Sequence, residues 1–125
     1  MRLIVFGSRT WSDPYAIVTD LREAYELGFR TLVHGACPSG ADYLADLHAR
    51  PAFKVERHPA DWDGYRARGL NVYKAGPDRN EHMAALGADL AIGYRLAGES
   101  KGTDDMARAC ARHGIPLVRR GWGWA

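Results

Sequence analysis

A chain of 125 residues, 46% hydrophobic and 26% charged, is long enough for one domain with a real core and too short for two, so residues 1–125 read as a single soluble domain rather than a disordered segment. The 17 basic and 15 acidic side chains leave a formal charge of +2, dispersed apart from pairs such as Arg119 and Arg120, and this excludes the dense basic stripe of a duplex-binding protein. No apolar run is long enough for a signal peptide or a membrane span, so the expectations are no membrane partner, a cytoplasmic site, and reduced thiols at Cys37 and Cys110.

The run RLIVF, residues 2–6, has the continuous apolar character of a buried parallel strand and ends in the turn residues GSR. Residues 12–28 read as an amphipathic helix: Ser12 or Asp13 caps it, Pro14 opens it, Gly28 stops it, and Ile17, Leu21, Ala24 and Tyr25 recur at helical spacing. TLVHG, residues 31–35, is a second strand. Residues 39–49 form a second helix capped by Ser39, with Ala41, Leu44, Ala45 and His48 on its apolar face. FKVER, residues 53–57, alternates as an edge strand would.

Periodicity is lost from His58 to Gly76, where aromatic and charged residues crowd into a stretch read as a functional or mobile loop. A helix at 77–87 begun by Pro77, a buried strand at 89–94, a helix at 103–114 and a strand at 115–119 complete the pattern. Five strands alternating with helices predict an α/β, doubly wound parallel sheet of order 3-2-1-4-5 with helices on both faces. That order puts the topological switch point between the carboxyl ends of the first and fourth strands, where such folds bind ligands.

Two loops flank that crevice, GSRTW at 7–11 and RLAGESKGT at 95–103, and the second leads into a helix N-terminus that favours an anion. Thr103, Asp104 and Asp105 equally make a good helix cap without any ligand, and the two carboxylates would repel a phosphate unless Lys101 offset them. HGACPSGAD, residues 34–42, is a third candidate wall, with Gly35 and Gly40 permitting close backbone approach and Asp42 able to accept from a ribose or simply to stabilise its helix. Arg79 and Asn80 follow the long loop, and a guanidinium there can fork onto a phosphate or remain on the surface.

His34, Cys37 and His58 are suitable ligand types but lack the spacing of a tetrahedral set, so no metal is expected; nor does any local feature mark Cys37, beside His34, as an activated thiolate. Trp62, Tyr65 and Tyr73 of the long loop can stack on a base or pack the loop down. Trp122 and Trp124, in the terminal GWGW, suggest an oligomer contact.

Taken together, GSRTW, VHGACPSGADYLA, HPADW, AGPDRNEHM, ADLAIGY and SKGTDDMARA resemble the YspA-type, YpsA-related branch of the SLOG superfamily, which is common in bacteria and phages. That superfamily also holds the DNA-processing protein A fold and the "Lonely guy" phosphoribohydrolases. The resemblance covers nearly the whole chain. It implies a Rossmann-like domain for nucleotides or nucleotide-derived ligands, with ADP-ribose and NAD-related molecules as examples; no cofactor is expected. By position it implies that Gly7, Ser8 and Arg9 line one wall, that Ser100, Lys101, Gly102 and Thr103 form a phosphate loop, and that Arg79 stands where the hydrolase branch has a catalytic arginine.

The hydrolase motif has the form PGGxGTxxE, and here the aligned stretch is GESKGTDDM, with Met106 in the position of the catalytic glutamate. Methionine can neither stabilise an oxocarbenium-like state nor activate water. Asp105 is one position away, a rotation of about 100° along a helix, and would point elsewhere. Asp42 or Glu81 would have to substitute from another wall.

The leading expectation is therefore a binder of a nucleotide-derived ligand, acting as sensor, carrier or sequestering protein. An N-glycosidic hydrolase using Arg79 with Asp42, Glu81 or Asp105 is the alternative. Single-stranded nucleic-acid binding comes third, disfavoured by the small net charge.

Overall fold

The computed structural model describes residues 1–98 and 100–124. Five parallel strands lie in the order β3-β2-β1-β4-β5: β1 (Arg2–Gly7), β2 (Thr31–His34), β3 (Lys54–Arg57), β4 (Leu90–Arg95) and β5 (Leu117–Gly121). The sheet is doubly wound, as the alternation of elements predicts. In β1, adjacent side chains divide between two cores. Leu3 and Val5 face the helices α1 (Pro14–Glu26) and α2 (Gly40–Ala49), whereas Ile4 and Phe6 face α4 (Ala75–Leu86) and α5 (Lys101–Arg112). This is why an unbroken apolar run, rather than an alternating one, encodes the central strand.

The helices follow local chemistry. Asp13 caps α1 by accepting from the Tyr15 amide at 3.0 Å, Pro14 occupies the first turn, and Ile17, Asp20, Leu21 and Ala24 are buried at helical spacing. On α2 the inward stripe is Ala41, Ala45 and Ala49; His48, assigned to that stripe from the sequence, is exposed, because Ala49 completes the period instead.

Residues 58–76 are more regular than their composition indicates. Asp61 caps a short helix α3 (Trp62–Ala67) by accepting from Gly64, and Asn71 caps a 3-10 turn (Val72–Lys74) by accepting from Tyr73 at 3.0 Å. That turn runs directly into α4, which therefore begins at Ala75 rather than at Pro77; a proline in the first turn removes only an N–H that has no intrahelical acceptor. Helix α5 likewise begins at Lys101, two residues before Thr103, and β5 is shifted two residues toward the C-terminus, to 117–121. Among the described residues no helix is long and apolar enough to cross a membrane.

The terminal tryptophans have different surroundings. Trp124 packs edge-on to Phe6 with ring centroids 6.3 Å apart and donates from Nε1 to the Arg120 carbonyl at 2.9 Å, so it covers the second core within the monomer. Trp122 is exposed.

Candidate functional site

The carboxyl ends of β1 and β4 part because their connections leave on opposite faces of the sheet, and a cleft of about 760 Å³ opens there. Of the residues singled out from sequence, Gly7, Ser8, Arg9, Gly35, Asp42, Arg79, Asn80, Ser100, Lys101, Gly102 and Thr103 all line it. Gly40 does not. Its φ of +74° and its close approach to the Ser8 carbonyl and to Arg9 give it the task of seating α2 against the β1 loop, a contact continued by Ala41 N to Ser8 O (3.3 Å) and Ser39 Oγ to Arg9 O (2.9 Å). At Gly7 a Cβ would run into the Tyr94 carbonyl and lie 2.8 Å from the Ala41 Cβ, so glycine is what lets β1, β4 and α2 meet.

A chain of hydroxyls crosses the crevice. Ser8 Oγ accepts from the Leu96 amide at 3.0 Å and lies 3.1 Å from Ser100 Oγ, which donates to Thr103 Oγ1 at 3.1 Å. Ser8 and Thr103 are buried, and the Ser8 amide donates to Tyr94 O at 2.8 Å. The Ser100 hydroxyl, spent on this chain, forms no side-chain cap with α5. Gly102 has open space where a Cβ would stand. Neither sterics nor backbone conformation requires glycine there, although glycine costs a helix about 0.5–1 kcal/mol against alanine.

The opposite wall is built on α4. Arg79 Nη1 donates to the carbonyls of Gly35 and His58, the latter at 3.1 Å, while its Nε donates to Asn80 Oδ1 at 2.9 Å. Asn80, buried, donates from Nδ2 to Asp105 Oδ2 at 3.0 Å and to the Gly102 carbonyl at 3.4 Å, tying α4 to the first turn of α5. Asp105 and Met106 both line the cleft, so the expectation that Asp105 points elsewhere is corrected: the cleft spans enough of the first turn to meet two successive side chains. Met106 is buried among Ile4, Phe6 and Met83 and is part of the second core. Glu81 stands outside the cleft, paired with Arg112 at 2.9 Å and His113 at 2.6 Å.

Asp42 is buried and accepts from the amides of Gly35 (3.2 Å) and Cys37 (3.3 Å). Burial pushes its carboxyl above the ordinary aspartate range, outweighing His34, the Cys37 amide and Arg79, which all act to lower it. Burial, and then the neighbouring Asp42, likewise raise the Cys37 thiol. His34 is committed elsewhere: Nδ1 accepts from the Ala36 amide at 2.9 Å, which leaves the proton on Nε2 for Asp46 at 2.7 Å. Arg57 also forks onto Asp46, and its hydrogen bonds, ahead of that from His34, hold the Asp46 carboxyl down at about 2. Among the described residues no three potential metal ligands gather.

Arg95, which opens the 95–103 loop, was missed as a site residue by sequence reasoning. It closes β4, is buried, and forks onto Asp104 through Nε (2.8 Å) and Nη2 (3.0 Å). Its remaining N–H groups reach the carbonyls of Leu96 (3.0 Å), Gly98 (3.1 Å) and Trp122 (3.2 Å). The guanidinium thus shapes the loop leading to Ser100, and it holds the Asp104 carboxyl below its ordinary range. It also removes half of the repulsion expected from the acidic pair: Asp104 is neutralised outside the cleft, whereas Asp105 lines it, bonded to Asn80. The available signal was an arginine ending a buried strand, a charge that requires a partner. Glu99 of the same loop lies outside the described residues.

No curated protein matches this chain. Two solved structures of the C-terminal domain of a hydrogenase from Pyrococcus furiosus are similar to it at 14% identity. One covers 95% of this chain and 89% of that one with a TM-score of 0.52; the other covers 95% and 90% with a TM-score of 0.47. At that identity the likeness concerns the fold alone. A family model described as YAcAr, the YspA, cpYpsA-related SLOG family, matches residues 1–65, from β1 through α2 and β3 into α3. With more than half of its length matched, the chain belongs to the YspA, cpYpsA-related SLOG family.

Proposed function

We propose that the cleft between β1 and β4 binds a nucleotide-derived ligand, a nucleoside monophosphate or an ADP-ribose-like molecule, and that the protein acts as its sensor, carrier or sequestering agent. Membership of the SLOG family is consistent with a nucleotide-related binding or processing role. The observation that carries the proposal is Gly102: a residue no contact requires to be glycine stands open at the first turn of α5, in the same cleft as Arg9, Arg79 and Lys101. The turn favours an anion through its N–H groups, and the hydroxyl chain that ends at Thr103 gives the cleft a polar wall suited to a ribose or phosphate oxygen.

Thermal shift of the purified protein with AMP, ADP-ribose and NAD tests this. At least one raises Tm, and Gly102→Leu, whose Cβ enters open space at the mouth of the turn, leaves the unliganded Tm no lower than wild type but loses the shift. A flat response to the whole panel, or an undiminished shift in Gly102→Leu, overturns the proposal.

A second reading rests on Asp42. A buried carboxyl raised above its ordinary range beside an arginine, in a cleft, has the character of a general acid or base, and Arg79 with Asp42 would then release a base from a nucleotide by N-glycosidic hydrolysis. Chromatography of the same incubations decides: free base that is lost in Asp42→Asn supports hydrolysis, whereas intact ligand in every sample leaves the binder alone.

A further inference from the structure

The aromatic residues of the 58–76 segment do not behave alike. Tyr65 turns to the outer surface and donates to Asp78 at 2.5 Å. Trp62 and Tyr73 both line the cleft, yet they remain 40% and 83% exposed. Packing the segment down therefore accounts for little of Tyr73 and only part of Trp62.

Trp62 is nevertheless packed against α4, and the backbone that carries Tyr73 is ordered. A Cβ placed on Gly76 would stand 3.5 Å from Trp62 Cη2, so the benzo edge of the indole rests on the first turn of α4 while the rest of the ring meets solvent. Tyr73 projects from a 3-10 turn pinned at both ends of its cap, by Tyr73 N to Asn71 Oδ1 and by Lys74 N to Asn71 O, each at 3.0 Å. An aromatic side chain carried on ordered backbone has only its two side-chain torsions left to fix when it stacks on a flat partner.

Their position relative to the polar end of the cleft follows from α4. Gly76, against Trp62, and Asn80, bonded to Gly102 and Asp105 on α5, are four residues apart on the helix, a rise of about 6 Å. Along α4, one helical turn thus separates the contact with the aromatic wall from the contact with the anion-favouring helix start, and both face the same cleft.

We infer that Trp62 and Tyr73 form the stacking subsite for the planar heterocyclic ring of the ligand, so that the cleft selects a base joined to a sugar phosphate over a sugar phosphate alone. The inference rests on the ligand class proposed above and adds the residues that read its ring. Stacking tolerates any base with a π-face, so the subsite sets ligand class rather than base identity.

The test pairs AMP with ribose 5-phosphate, which carries the same anion and pentose without the ring, in calorimetric titrations of the full chain. Wild type binds AMP about tenfold more tightly or better. Trp62→Leu, which keeps an apolar contact with Gly76, removes most of that advantage while leaving ribose 5-phosphate affinity and unliganded Tm unchanged; Tyr73→Leu reduces it, and Trp62→Phe restores it. Equal affinity of wild type for the two ligands, or an advantage that survives in both leucine variants, overturns the subsite but not the cleft. Binding of neither ligand overturns the cleft reading and the subsite with it.

Discussion

Replacing Arg95 by methionine isolates the guanidinium that shapes the loop between β4 and α5. Methionine retains the aliphatic bulk at the end of β4 but orphans the Asp104 carboxylate and releases the carbonyls of Leu96, Gly98 and Trp122. Removing one partner from a fully buried ion pair costs about 3–5 kcal/mol, and because Asp104 is 35% exposed, water recovers part of that, leaving about 2–3 kcal/mol. An unfolding entropy of roughly 2.1 cal/mol/K per residue gives about 0.26 kcal/mol/K for 125 residues, so Tm falls by about 8–11 °C.

The pH dependence carries a sign. Arg95 lowers the Asp104 carboxyl below its ordinary value, so the pair's contribution is complete above that value and is lost as pH falls through the depressed one. Scanning calorimetry from pH 7 to pH 3 therefore shows a gap between wild type and Arg95→Met that is constant above about pH 5 and narrows below about pH 4. The double variant with Asp104→Asn loses less than the sum of its singles, because the carboxylate orphaned by the first change is gone. A fall in Tm under 3 °C, by about a third of the expected minimum, or strict additivity in the cycle, would refute the latch.

Three further outcomes follow from the packing around the cleft. Gly7→Ala drives a Cβ into the Tyr94 carbonyl and to 2.8 Å from Ala41, and because backbone cannot step aside, the urea midpoint drops by the equivalent of about 3 kcal/mol or more with an unchanged m-value. Tyr94, fully buried, donates to Asp20 at 2.7 Å while Arg120 forks onto the same carboxylate at 2.9 and 3.1 Å; Tyr94→Phe costs about 1 kcal/mol, and Asp20→Ala costs more because it leaves the buried Tyr94 hydroxyl without an acceptor and also removes the ion pair with Arg120, an order that urea titration reads directly. Both thiols are raised, Cys110 to about 11 by burial, so iodoacetamide at pH 7.5 modifies native Cys37 more slowly than a free thiol and Cys110 only on unfolding; equal rates at the two sites would contradict this.

Much of the architecture is local information. The unbroken apolar runs at β1 and β4, the helical recurrence of Ile17, Leu21 and Ala24, and the capping residue ahead of Pro14 each act within a few residues of themselves, and together they specify the alternation that closes into a parallel sheet with its crevice at the β1 and β4 ends. Much of the candidate site was legible too, since eleven of the singled-out positions line one cleft, at strand ends, connecting loops and helix first turns that this strand order gathers at the same edge of the sheet. The capped turns inside 58–76 were less visible, because Asp61 and Asn71 organise backbone rather than an apolar face and leave no periodicity behind.

The pairings between distant elements come from packing alone. That Asp104 belongs to Arg95, Asp105 to Asn80 and Glu81 to Arg112 depends on where α4 and α5 pack, and no spacing along the chain announces it. The same packing turns Met106 into the second core, puts Trp124 on Phe6 and leaves Trp62 and Tyr73 facing the cleft. Which ends of which strands meet is written along the chain, because burial pattern and connectivity are properties of single segments. Which charges are neutralised there, and which aromatic faces stay open, is settled by distances between segments that only the folded chain brings within a few ångströms.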